Sequence, residues 1–582
     1  MREAATERAV ITRVNGPVVE VGGGQGLAML DLVLVGPQLL PGEVIALAGN
    51  TATVQVYEYT GGLKPGDEVL DTGGPLTVEL GPGLLGGVFD GVLRRLGEAG
   101  MRVEPGAAIE SLTSARRWEF RPTARSGEQL PAGQMVGSVS ETEAVVHHVL
   151  APPGVEGVVE WIAEPGEYAG AELIARVDGV DVRLSHRWPV RRPRPVAARL
   201  PAAEPLVTGQ RVLDLLFPVA HGSTAAVPGG FGTGKTVLLQ QIAKWCDAAV
   251  IVYVGCGERG NELADVLDEF EALEDPRSGR RLLDRTVVIA NTSNMPVMAR
   301  EASIYTGVTV AELYRDMGHD VVVIADSTSR WAEALRELAA RTDELPAEEG
   351  YPAGLSSALA DFYERAGRVQ TLGGAVASVS ILGAVSPPGG DLTEPVTSHT
   401  RRFVRSVWSL DRDLAYARHY PAISWRDSST RDAEQLGRWQ AQHGDPDWGQ
   451  RRARALSLLT DADRIESIAQ LVGADSLPAS ERLALNTARL LREVVLQQSA
   501  VLENDQFTAP PKQRAMLTLV LAVHDRVASL LDAGVPLAEI DALNLPARVL
   551  AARFETPPDG AGDVERIARD LVITLDAVEP PG

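Results

Sequence analysis

The chain has 582 residues, which at about 100–200 residues per domain predicts three or four domains with sizeable cores and excludes a small stapled scaffold. Apolar residues make up 45% and charged residues 23%, the mix of an ordinary globular protein and not of a disordered one. A net charge of −23 repels nucleic acid and anionic lipid surfaces, so a nucleic-acid role would require a strongly local basic groove.

From about Val10 to Leu80, short β-branched alternating segments such as GPVVEV and TATVQVYEY are separated by Gly, Pro and Asn turns. They predict a small antiparallel barrel. LGPGLLGGVFDGVLRRLGEAG, from Leu80 to Gly100, predicts a Gly-rich turn followed by a short amphipathic helix. Residues from about Arg117 to Val182 read as a second all-β module, and RWPVRRPRPVAARLP after it as a solvated basic connector. That stretch lacks the interleaved aromatics of a nucleic-acid strand reader.

Between about Leu206 and Arg431, continuous β-branched runs at 225–227, 249–255, 285–292, 320–326 and 375–382 alternate with helical segments. Strands covered on both faces with crossover helices make a parallel sheet. After Trp439 the strands stop. DADRIESIAQLVG places Ile465, Ile468, Ala469 and Val472 on one helical face, with Asp463 as a cap and Gly473 as a stop. The two long segments after it continue the period and predict a helical bundle. The only cysteines, Cys246 and Cys256, supply no disulfide framework, and cytoplasm is the expected compartment. No apolar run reaches the 18 or so residues of a membrane span, and the N-terminal stretch carries no signal-peptide core.

Gly229-Gly230-Phe231-Gly232-Thr233-Gly234-Lys235-Thr236 matches the phosphate-loop pattern G-x-x-x-x-G-K-[ST] in full. Glycines let backbone N–H groups curl around phosphate oxygens, and the helix that follows adds its positive end. Lys235 is one of only four lysines; it is expected to reach the β- and γ-phosphates, and Thr236 to give a hydroxyl to Mg²⁺. DVVVIAD ends on Asp326, either a second metal-shell acid or an ordinary helix cap. AVIVYVGCGERGNE sets Glu258 and Arg259 just past a strand end, where ligands bind in such sheets. Glu258 then polarises the attacking water and Arg259 stabilises phosphoryl charge, or the two form a surface ion pair.

GGFGTGKT, VYVGCGERGNELADVL, NTSNMPVMAREASIYTG, IADSTSRWAEALRE, LPAEEGYPAGLSS and FYERAG, in that order, resemble the catalytic A subunit of the V/A-type rotary ATPases across nearly the whole chain. The resemblance implies a multidomain α/β protein: an N-terminal β-barrel over 1–78, a RecA-like P-loop core over 79–116 and 183–438, an inserted all-β module over 117–182 and a helical bundle over 439–582. It implies ATP or ADP with Mg²⁺, an A3B3 ring with a B subunit that supplies an arginine in trans, central and peripheral stalks, and a peripheral place on the cytoplasmic face of a membrane whose ion-translocating sector it serves indirectly. No nucleic acid is implied. The inserted module and the intact loop with Glu258 favour the catalytic chain over its relatives.

Carried over residue by residue, the roles fall on Lys235 and Thr236 for phosphate and Mg²⁺, Glu258 for the water, Arg259 for phosphate and Asp326 for the metal shell. Three positions depart from the family: Thr233 stands where eukaryotic members have cysteine, Gly230 where proline is usual, and Val501 where an aromatic usually faces Tyr420 across the adenine. Phe507 is the alternative second wall. A Rho-type nucleic-acid motor and a nucleotide-binding subunit without turnover are the competing functions; the net charge argues against the first and Glu258 against the second.

Overall fold

The computed structural model describes residues 8–96, 116–293, 295–341, 345–473 and 476–579. They divide into two compact units, one of Met1–Pro201, Ala248–Val385 and Thr393–Phe403, the other of Ala202–Asp247, Ser386–Leu392 and Val404–Gly582.

The first unit begins with six antiparallel strands, β1 (Val10–Asn15), β2 (Val18–Gly22), β3 (Asp31–Val35), β4 (Leu40–Ala48), β5 (Thr51–Val56) and β6 (Val69–Pro75), in the order β1-β2-β5-β4-β3-β6. A bridge from Val10 to Glu68 joins the two ends of that order and closes the predicted barrel. Alternate valines and leucines, Val19, Val21, Val33, Val35, Leu40, Val44 and Val54 among them, fill its core. The inserted module is built from two four-stranded sheets around Trp118, Phe120, Val139, Val159, Ile174 and Val177.

The α/β part of this unit is a parallel set in the order Val376–Val385, Val321–Asp326, Val250–Glu258, Thr286–Thr292 and Val88–Phe89. Its four longer strands fall where the β-branched runs placed them. Val88–Phe89 corrects the helix expected after Leu80: it is a strand pairing with Val288 and Ile289. The turn after it is held by the Asp90 carboxylate, which accepts the Val92 and Arg94 amides at 3.0 and 2.8 Å. The end of that expected helix, from residue 97 on, lies outside the described residues.

The basic connector is solvated only in part: Arg187, Arg192 and Arg199 are exposed as expected, whereas Arg191 and Arg194 are drawn in. Arg191 bonds Glu43 of the barrel and Glu301 of the Val297–Asp316 helix at 2.7–3.1 Å. Arg194 is 4% exposed and bonds Asp316 at 2.6 Å and His186 Nε2 at 2.8 Å. Eighteen consecutive residues of that helix are buried, acids included, so the arginines are drawn in as counter-charges.

In the second unit, Thr224–Pro228 pairs parallel with Ser406–Val407, which pairs antiparallel with Ser429–Thr430. The C-terminal part is helical, chiefly Trp448–Val472, Ala479–Leu490, Pro510–Asp532, Leu545–Phe554 and Ala561–Asp576. Asp463 is not a cap. It sits within Trp448–Val472 and accepts from Trp425 Nε1 at 2.9 Å and Arg426 Nε at 2.6 Å. Gly473, with φ +88°, does stop that helix, in a backbone conformation that a residue with a side chain resists.

Around the inserted module, four of the chain's nine histidines gather. His148 and His319 stack at 5.9 Å, His147 bonds the buried Glu141 at 2.9 Å, and His186 accepts from Arg194. Burial and Arg194 hold His186 well below the usual histidine range, and burial lowers His319, against the opposing pull of its backbone bond and Asp320. Below about pH 6.5 the unfolded chain takes up protons at these rings before the folded chain does, so stability is full above that pH and falls beneath it. Thermal melts from pH 7.5 to 5 are expected to show a falling midpoint, with a shallower decline in His186→Gln, whose amide oxygen still accepts from Arg194.

Candidate active site

In the second unit, residues 229–236 leave the Thr224–Pro228 strand and enter the Lys235–Trp245 helix. Gly232 and Gly234 have φ of +77° and +88°, a conformation that side chains resist. Gly229 is required for a different reason: a Cβ there would stand 2.7 Å from Leu410 Cβ and 2.8 Å from Thr233 Oγ1. Around Gly230 the space is open, so no steric demand fixes glycine at that position. Its carbonyl is a loop fastener, accepting Thr233 Oγ1 at 2.8 Å and Lys235 Nζ at 2.9 Å, while Gly229 O accepts Lys235 at 2.6 Å. Phe231 is exposed and Thr233 buried. Thr236 is the second residue of the helix, at its positive end.

The same unit contains a cavity of about 560 Å³, bounded among others by Thr233, Gly234, Val237, Gln241, Tyr420 and Val501. That volume suits a small organic ligand. Tyr420 is 42% and Val501 88% exposed, so each has surface to offer. Phe507 does not line the cavity: its ring stacks on Trp245, centroids 4.9 Å apart and planes 20° off parallel. Gln497, Arg418 and Arg553 also border it. Sequence reasoning missed them, because no local motif links positions on separate segments of the chain.

In the first unit, Val250–Glu258 and Val321–Asp326 run parallel with Gly255 opposite Asp326, which sets acids at the carboxyl ends of two adjacent strands. The register against Thr286–Thr292 slips between Cys256 and Glu258, and Gly257 has φ +72°. A Cβ on Gly257 would stand 2.9 Å from Arg330 Cβ. The resulting bulge re-aims Glu258.

Asp326 is 4% exposed and accepts from Tyr253 Oη at 3.2 Å. Burial, the Asp326 charge and a hydrogen bond to Glu262 push the Glu258 carboxyl up to about 7, against the pull of Arg330. A carboxyl poised near neutral is suited to hold and return a proton. Arg259 caps the Gly260–Ala272 helix with its side chain 68% exposed, 3.5 Å from Glu262; in this structure it is a surface partner. Arg330, which sequence reasoning passed over, is the cation that acts on Glu258.

Four family descriptions match the chain: the ATP synthase alpha/beta family nucleotide-binding domain over residues 209–430, its beta-barrel domain over 11–73, the alpha/beta subunit barrel-sandwich domain over 109–191, and the C-terminal domain of V and A type ATP synthase over 437–540. These define a RecA-like P-loop ATPase core with an N-terminal barrel, an inserted β module and a helical C-terminal domain. The chain is 52% identical over 557 residues to a V-type ATP synthase alpha chain of Nitrosococcus oceani, covering 94% of both. It is 51% identical over 541 residues to the A subunit of an A-type ATP synthase from Methanopyrus kandleri, covering 91% of both. The chain belongs to the family of V-type and A-type ATP synthase alpha or A chains, the catalytic subunits of rotary ATPases. The fold is shared with EscN, the assembled ATPase of the enteropathogenic E. coli type III secretion system, at a TM-score of 0.64 and 20% identity over 88% of this chain and 99% of that one.

In the nucleotide-free chain, infrared difference spectra of wild type against Glu258→Gln are expected to show one carboxyl titrating near pH 7. Asp326→Asn, by removing the neighbouring negative charge, is expected to bring that midpoint down.

Proposed function

We propose that this chain couples ATP hydrolysis or synthesis to rotation and ion transport, working at an interface with a B-type partner in an A3B3 ring on the cytoplasmic face of a membrane. The observation that carries the reading is the complete phosphate loop with its lysine already folded across it, in a chain about half identical to V-type and A-type ATP synthase catalytic subunits. Among the described residues no helix is long and apolar enough to cross a membrane.

In this reading the loop amides and Lys235 hold the phosphates. Thr236 and Asp326 offer a hydroxyl and a carboxylate, the hard oxygen donors that Mg²⁺ selects, and the ion when bound neutralises charge on the phosphoryl oxygens. Glu258 orients the attacking water and accepts its proton; in the synthetic direction it returns one. Arg259 is assigned to phosphate contact, which requires it to leave Glu262. Tyr420 and Val501 bracket the base. The domain boundaries we assign are 1–78, 79–116 with 183–438, 117–182 and 439–582, the third being the inserted module.

The test uses the chain assembled with its B-type partner. Lys235→Ala is expected to abolish nucleotide binding and turnover, since the cation directed at the phosphates is lost. Glu258→Gln is expected to bind ATP with Mg²⁺ while hydrolysis falls by orders of magnitude. Wild-type turnover in the Gln variant would sink the assignment, and full activity without the partner would sink the ring.

Base stacking on an aromatic ring is worth about 1–3 kcal/mol, and Val501 forgoes it on one side. Val501→Phe is therefore expected to tighten ATP binding roughly tenfold and to sharpen discrimination against GTP. Phe507→Ala, which strips the ring from Trp245, is expected to lower the thermal midpoint and leave the ATP-to-GTP ratio unchanged.

A further inference from the structure

The cavity wall formed by residues 497–501, of which Val501 is the exposed end, is tied down from behind by a buried ionic network. Asp505 is fully buried. Its Oδ2 accepts the Ser499 amide at 2.7 Å and Arg553 Nε and Nη2 at 2.9 and 2.7 Å. Its Oδ1 lies 2.8 Å from Arg211 Nη1, an ion pair outside hydrogen-bond alignment. Arg211, also fully buried, donates to the carbonyls of Val495 and Gln497 at 3.1 and 2.5 Å and to Thr508 Oγ1 at 2.7 Å. Arg553 donates to the carbonyl of Glu493 at 2.6 Å and to Gln497 Oε1 at 3.1 Å.

Gln498 connects this network to the Tyr420 segment, which also lines the cavity. Its amide donates to the Tyr420 carbonyl at 2.8 Å, its Nε2 to Gly209 O at 2.8 Å, and its Oε1 accepts the Arg211 amide at 2.9 Å. The 497–501 segment is therefore linked to the Tyr420 segment through the buried Gln498, with Gln497 Nε2 adding a bond to the Arg418 carbonyl at 3.3 Å, and the charge that keeps the two arginines in place comes from one carboxylate. Removing one member of such a network leaves the others charged and unmatched.

We propose that Asp505 is a positioning residue for the nucleotide base: it touches no ligand itself, but through the Ser499 amide, Arg211 and Arg553 it fixes the wall at 497–501 against Tyr420, leaving the phosphate loop to act independently. The inference rests on the function proposed above and names how its base site is held. Val501 supplies no ring to grip the base, so affinity on that side depends on the wall already standing in place.

The experiment measures ATP hydrolysis by the assembled complex, with inorganic tripolyphosphate, which has no base, as a competitive inhibitor. Asp505→Asn keeps an acceptor for Ser499 but loses the charge between the arginines. It is expected to raise KM for ATP about tenfold, leave kcat within about threefold, narrow the ATP-to-GTP ratio and leave the tripolyphosphate inhibition constant unchanged. Asp505→Glu keeps the charge and shifts the oxygens by one methylene. It is expected to give the same pattern more weakly, and it decides the matter if the Asn variant does not assemble. An unchanged KM, equal weakening of ATP and tripolyphosphate, a fall in kcat alone, or failure of both variants to assemble would overturn the proposal. A wild-type complex that neither saturates with ATP nor responds to tripolyphosphate would instead overturn the function reading itself.

Discussion

A twenty-residue helix buried along eighteen consecutive residues, with Arg300, Glu301, Glu312 and Arg315 among them, is unstable unless every one of those charges finds a partner. The first unit is organised around meeting that condition. Glu301 receives Arg191, which also bonds Glu43 in the barrel. Glu312 receives Arg365 at 2.7 and 2.9 Å and the Arg194 amide at 2.9 Å. The same helix receives the indole of Trp331, whose Nε1 donates to the Glu301 carbonyl at 3.0 Å. Barrel, connector and the Arg365 turn are thus fixed to one element by directional, charge-assisted bonds, which specify geometry more narrowly than apolar contact does.

The second unit solves a related problem at smaller scale. Its phosphate loop needs left-handed glycines and a close approach to Leu410, and its cavity needs two walls from segments far apart in the chain. Gln497 and Gln498 bond the one segment to the other, and Asp505 holds the Ser499 amide from behind. In both units, buried polar groups do the placing, and apolar packing supplies the bulk of the stability.

Much of this was legible in the sequence where the signal is local. The phosphate loop, the buried strands and the barrel follow from glycine spacing and β-branched periodicity, and the structure has them at the expected positions. The failures have a common cause. Arg191 and Arg194 read as solvated because their partners, Glu43, Glu301 and Asp316, lie far away in the chain. Asp463 read as a cap because its real donors, Trp425 and Arg426, come from an earlier segment. Val88–Phe89 read as helix because its pairing partners, Val288 and Ile289, come much later in the chain. The bulge at Gly257 and the Asp505 network were invisible for the same reason: a single sequence shows spacing along the chain and not across it.

Lys235 bonded to the carbonyls of Gly229 and Gly230 makes the loop a closed ring, in which a side chain near the loop's end pins the backbone of its start. The curvature that the positive-φ glycines permit is thereby locked from within the loop itself. In the function proposed above, binding a nucleotide would then be an exchange of acceptors on one nitrogen, from neutral carbonyls to anionic oxygens.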